Sequence, residues 1–138
     1  MSTLFQRALF MEEKNMNYIK KLREVKPLVH NITNYVTVND VANAILAIGG
    51  SPIMSDEITE VAQMTSISNA LNINIGTLNQ VKIASMFEAG KASNACKHIT
   101  VLDPVGAGAT DLRTNTCKDL LAQIHLMPSK GMFQKSRL

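Results

Sequence analysis

From about Met11 to Val25, apolar and charged residues mix at helical spacing, and Pro27, which cannot continue a helix, ends the segment. PLVHNIT follows, short, apolar and rich in β-branched residues, and it reads as a strand. The period then changes. In VTVNDVANAILAIGG the residues Val38, Val41, Ala42, Ile45 and Ile48 recur at helical spacing, which predicts a helix with one buried face, stopped by Gly49 and Gly50.

The alternation continues to the end of the patterned region. SPIMS reads as a strand, EITEVAQMTSISNA as a helix, LNINIG as a strand, NQVKIASMFEAGKASNACK as a long helix, ITVLDPVGAG as a strand running into glycines, and DLRTNTCKDLLAQIH as a helix. Strands alternating with helices imply βαβ crossovers, so the predicted class is α/β, a mainly parallel sheet between layers of helices. Neither a low-complexity linker nor a domain boundary interrupts the pattern.

Composition narrows the function classes. The chain of 138 residues carries a formal charge of +3, but Lys130, Lys135 and Arg137 lie in its last stretch, leaving 11 cations against 11 acids before it. A nucleic-acid partner is therefore not expected, and the absence of Trp with few aromatics gives no base-stacking surface. No apolar run approaches the ~20 residues of a membrane span, so no membrane partner is expected. Cys96 and Cys117 do not form a close metal-type pair and read as two buried thiols of a reducing cytoplasm.

In parallel α/β sheets, ligands bind off the carboxyl ends of the strands. Four such ends carry polar or glycine-rich turns: HNITN, SPIMSDE, NIGTL and LDPVGAGAT. In the last, Asp103 closes an apolar strand and Gly106 and Gly108 permit close backbone approach before a helix opening near Thr110. Either this is a structural turn with Thr110 as cap, or Asp103 and the helix start serve a phosphate or metal. Asn34 is open to two readings, a contact to a ligand heteroatom through its donor and acceptor or an N-cap of the next helix. His30 reads as a satisfied, partly buried histidine and Met54 as core filler. Gly76 and Thr77 form a turn with backbone N–H groups near any ligand there.

PLVHNITNYV, GGSPIMS, LNINIGTL and VLDPVGAGATDLR, in this order and at these separations, resemble the hydroxyethylthiazole kinase family over about Met16 to Leu126. The resemblance implies a ribokinase-like three-layer α/β/α fold, incomplete at its C-terminal side. It implies ATP- and Mg²⁺-dependent phosphorylation of 4-methyl-5-(2-hydroxyethyl)thiazole in thiamine biosynthesis, in a cytoplasmic homotrimer with sites at subunit boundaries. By the same resemblance, Met54 and Asn34 match residues beside the thiazole ring, Gly76 and Thr77 lie close to substrate, and Asp103 matches the aspartate that organises Mg²⁺ and phosphates. The family's later elements, including the glycine-rich loop with its cysteine, are not readable, so no catalytic residue is assigned. This chain is expected to be inactive, the alternative to a kinase being a non-catalytic fragment with weak thiazole or subunit binding. A nucleotide-dependent oxidoreductase is disfavoured because the first strand-helix junction lacks G-x-G-x-x-G.

The family pattern continues into a strand of the form D-x-[IV]-[RK]-G-N-x-S-E-I, whose basic residue contacts ATP; by count it coincides with Lys130. Codons for the stretch from Met127 to Ser136 can be chosen so that, regrouped in another frame, they read Asp-Ala-Ile-Lys-Gly-Asn-Val-Ser-Glu-Ile. Three segments are therefore expected: 1–15, a leader or mis-assigned start; 16–126, the N-terminal part of a kinase domain; and 127–138, a frame-shifted tail. Sequencing the gene across codon 126 tests this. DNA that regroups into Lys-Gly-Asn-x-Ser-Glu is expected, and DNA that cannot be so regrouped refutes the frame shift.

Overall fold

The computed structural model of the chain describes residues 17–126. The segments 1–15 and 127–138, with Lys130, lie outside the described residues. A helix over residues 17–25 (α1) leads into β1 (Leu28–Ile32), α2 (Val38–Ile48), β2 (Ser51–Met54), α3 (Val61–Ile67), β3 (Ala70–Asn74), α4 (Gln80–Cys96), β4 (Ile99–Asp103) and α5 (Asp111–Gln123). All strand pairs are parallel, in the order β2-β1-β3-β4. The expected α/β class and parallel sheet are present.

Strand periodicity divides the sheet into two unlike faces. His30, Leu71 and Thr100 are successive register partners across β1, β3 and β4, and all are buried; Ile73 and Leu102 repeat the pattern two residues on. This face packs on α3, α4 and α5, with Val61, Met86, Ala89, Cys117 and Leu120 completing the core. Cys117 is buried as expected, and burial pushes its thiol pKa up; Cys96, expected to be buried as well, is exposed at the last residue of α4. Gly90 of α4 lies where a Cβ would collide with Ile124, so its missing side chain sets how closely α4 and the end of α5 approach. The other face is polar toward the strand ends: Asn72 Nδ2 donates to Asn31 Oδ1 at 3.1 Å, and Asn74 and Asp103 follow on the same side. It leaves Ile99 and Val101 48% and 40% exposed.

Two further expectations, both about helices, differ from the structure. α2 has no fully buried residue: Val38, Val41, Ala42 and Ile45 are half-buried and Ile48 is exposed, because the helix packs mainly on β2, a strand at the sheet edge. α3 covers only Val61–Ile67 of the predicted EITEVAQMTSISNA. Ser68 is extended, Asn69 Oδ1 accepts the Leu28 N–H at 2.8 Å, and Ala70 already pairs in β3. The glycine stop after α2 is present. Gly49 is left-handed, and a Cβ there would meet the Arg23 backbone at 2.9 Å, so neither its conformation nor the packing of α1 admits a side chain.

His30 is a core residue in the neutral form. The Ser55 carbonyl, 2.9 Å from Nε2, can only accept, which places the proton on Nε2 and leaves Nδ1 to accept from the Thr65 hydroxyl at 2.8 Å. Burial lowers its pKa below the ordinary 6.5, outweighing the Ser55 hydrogen bond and Glu60, which raise it. The unfolded chain then binds a proton more readily than the folded one. Stability is expected to be level above about pH 6.5 and to fall as pH drops from there through the folded-state pKa. Urea midpoints from pH 8 to pH 5 check this, and His30→Gln is expected to flatten the slope.

Candidate functional site

β1 is followed in the chain by its neighbour on one side, β2, and the chain then returns to β3 on its other side. The connection leaving β1 therefore runs to one side and that leaving β3 to the other, and in parallel α/β sheets such a reversal is where ligands sit, beyond the carboxyl ends of the two strands. Asn34 lies just past β1, Asn74 ends β3 and Asp103 ends β4, so three polar side chains converge at this end.

They form one hydrogen-bonded array. Asn34 Nδ2 donates to Asn74 Oδ1 at 3.0 Å, and Asn74 Nδ2 donates to Asp103 Oδ2 at 2.7 Å. Asn34 Oδ1 accepts from the Val36 and Thr37 N–H groups, each at 3.0 Å, and from Thr37 Oγ1 at 3.2 Å. Thr37, not Asn34, is the N-cap residue of α2; Asn34 closes the turn before it. With its oxygen engaged three times and one N–H given to Asn74, Asn34 has a single amide N–H left to offer a ligand. Of the two polarities open to an amide, only the donor remains.

Gly76 belongs to the same array. Its N–H donates to Asn74 Oδ1 at 2.8 Å, and a Cβ on it would stand 2.8 Å from Asn74 Oδ1 and 3.0 Å from Asn34 Cβ. Only glycine lets this loop lie against the paired amides. Thr77 follows it, half-buried. Met54 ends the edge strand beside Asn31, 36% exposed rather than in the core, and among the described residues no hydrogen bond ties its strand end to the array.

Arg113 was not anticipated from the sequence. Its guanidinium donates to the carbonyls of Ile75 (3.2 Å), Gly76 (2.7 Å) and Val105 (3.0 Å), clamping the loops after β3 and β4 together. Gly106, at φ +74°, would bring a Cβ within 3.1 Å of that side chain. Thr110 caps α5, as one reading of the turn expected, and the free N–H groups of the helix start lie at the same end of the sheet as Asp103.

Lys82 was also missed. It is 2% exposed, with Nζ 3.2 Å from Asp56 Oδ2, 3.1 Å from the Thr33 carbonyl and 3.8 Å above the Tyr35 ring. A buried ammonium is tolerated only when paired in this way. It ties the first turn of α4 to the loops after β1 and β2, and Ser85 Oγ adds a 2.8 Å bond to the Asp56 carbonyl. Thr33 Oγ1, in the same loop, is buried without a hydrogen-bond partner among the described residues.

The hydroxyethylthiazole kinase family profile matches residues 19–132. A hydroxyethylthiazole kinase of Clostridium acetobutylicum is 54% identical over 113 residues, which is 82% of this chain and 41% of the relative. One of Clostridium tetani is 53% identical over 119 residues, 86% of this chain and 43% of the relative. A solved structure of hydroxyethylthiazole kinase protein from Pyrococcus horikoshii superposes with a TM-score of 0.74 at 46% identity, covering 76% of this chain and 41% of that one. The chain thus spans about two-fifths of the length of the relatives it matches. With more than half of its own residues matched by the family profile and a parallel sheet that superposes on a family structure, the chain belongs to the hydroxyethylthiazole kinase family.

Proposed function

We propose that this chain supplies the thiazole-recognition end of an enzyme that transfers the γ-phosphoryl group of ATP to the hydroxyethyl arm of 4-methyl-5-(2-hydroxyethyl)thiazole. The observation that carries the reading is the donor-only state of Asn34 at the strand-order reversal. A thiazole ring nitrogen or the arm's hydroxyl oxygen is an acceptor, so either satisfies the one N–H that Asn34 still offers. Met54, exposed and polarisable, suits an aromatic sulfur heterocycle. Gly76 and Thr77 complete the wall, the missing Cβ of Gly76 letting this loop lie against the paired asparagines.

Asp103 fits a magnesium ion. Asn74 holds Oδ2, while Oδ1 has no hydrogen bond from the described residues, and a carboxylate oxygen is the donor such a hard cation takes. When bound there, magnesium supplies neutralisation of the phosphate oxygens, on which phosphoryl transfer depends. Arg113 keeps the glycine-rich turn of Asp103 fixed against the Gly76 loop, and the start of α5 offers N–H donors to an anion. Tyr35 and Val36, 63% and 87% exposed just after Asn34, support a subunit boundary over this end, as in a homotrimer. The proposed compartment is the cytoplasm, where Cys96 and Cys117 stay reduced.

Titration calorimetry with the thiazole alcohol tests the recognition role. Saturable binding is expected, weakened about tenfold or more in Asn34→Leu, which loses the donor and strands the amide's buried partners. Gly76→Ala is expected to weaken it too, because its Cβ displaces the paired asparagines. No binding by the unaltered chain, or unaltered affinity in both variants, contradicts the assignment.

A further inference from the structure

The amides at the strand ends are aligned in one sense. Backbone N–H groups cannot act as acceptors, so the Val36 and Thr37 N–H groups fix the oxygen side of Asn34, and the Gly76 N–H fixes that of Asn74. Each asparagine therefore accepts on the side of a backbone donor and donates onward: Asn34 to Asn74 at 3.0 Å, Asn74 to Asp103 at 2.7 Å. The series starts where the chain enters α2, crosses the carboxyl ends of β1, β3 and β4, and ends on a carboxylate. Asn34 and Asn74 are each 8% exposed, so little water competes for these bonds. In such surroundings a hydrogen bond made by one end of an amide strengthens the bond at its other end.

We propose that Asn74 is a positioning residue that couples Asp103 to Asn34, making them halves of one responsive unit. Charge neutralisation at Asp103 weakens the pull on the Asn74 amide, which then accepts less strongly from Asn34 and frees that amide to donate elsewhere. An acceptor ligand bound at Asn34 acts back on Asp103 by the same amount, since such coupling is reciprocal. This rests on the reading that Asn34 meets the thiazole and Asp103 the magnesium and phosphate; the two ligands then assist each other's binding through Asn74.

The test needs neither ligand. Proton–nitrogen NMR spectra of the full 138-residue chain are compared for the unaltered protein, Asp103→Asn, Asn74→Leu and the double variant. Asp103→Asn removes the charge but keeps an acceptor oxygen, and it is expected to shift the Asn34 side-chain amide pair and the Val36 and Thr37 backbone amides. In the Asn74→Leu background the same change is expected to leave these signals in place, although the field of the lost charge across space is unchanged. If Asn74→Leu does not fold, Asn74→Ser, which is too short to bridge, takes its place. Signals that do not move in Asp103→Asn, or that move equally with Asn74 removed, overturn the coupling. A chain that fails to bind the thiazole alcohol yet shows this pattern refutes the substrate assignment and leaves the coupling standing.

Discussion

Parallel strands cannot be joined by a tight turn, so every connection in this sheet must travel back over a face before the next strand begins. Where consecutive connections depart in opposite directions, the loops part and leave a gap that no element of the sheet closes. In the order β2-β1-β3-β4 that point is β1, and the polar end of the molecule is organised around it. Asn34 projects from the loop that leaves β1, Asn74 from the end of the strand the chain returns to, and Asp103 from the next. The sheet brings together residues far apart in the sequence because its register aligns Asn74 with Asp103.

A polar cluster of this kind costs stability unless its groups are satisfied, and here Asn34, Asn74, Arg113 and Lys82 each have dedicated partners. The two asparagines are held by backbone N–H groups of their own turns, Arg113 by three loop carbonyls, and Lys82 by Asp56, a carbonyl and an aromatic face. Apolar residues at these positions would avoid the desolvation of a buried ammonium and two carboxamides. The hydrophobic core lies instead on the other face, against α3, α4 and α5, and supports the array without entering it. One face of the sheet holds the apolar core, and the strand ends carry the polar array.

How far this was legible in the sequence follows from the range over which each residue's environment is set. The strands, the long α4 and the glycine stop after α2 depend on local period and were readable. The ends of α3 were not, because Ser68 and Asn69 are polar in either state and only the distant Leu28 N–H decides for Asn69. Asn34, Gly76 and Asp103 were picked out because polar or glycine residues at strand ends are conspicuous, and the structure brings all three together. Asn74 reads as part of an alternating strand, since its side-chain partners Asn34 and Asp103 are 40 and 29 positions away. Lys82 looks like a solvated lysine on a helix; its burial is fixed by Thr33, 49 positions away, and by Asp56. The buried face predicted for α2 failed for a related reason, as periodicity marks which side of a helix is apolar but not how much sheet lies under it.

The claim on which the account turns is that the reversal point at β1 is the seat of a thiazole ring, between Met54 and Asn34. The most direct measurement is a set of intermolecular nuclear Overhauser effects between the thiazole alcohol and the protein selectively labelled at methionine methyls and asparagine side chains. Contacts are expected from the ring methyl to the Met54 methyl and from the ligand to the Asn34 amide. Contacts confined to other methionines, with the Asn34 amide silent, would contradict it.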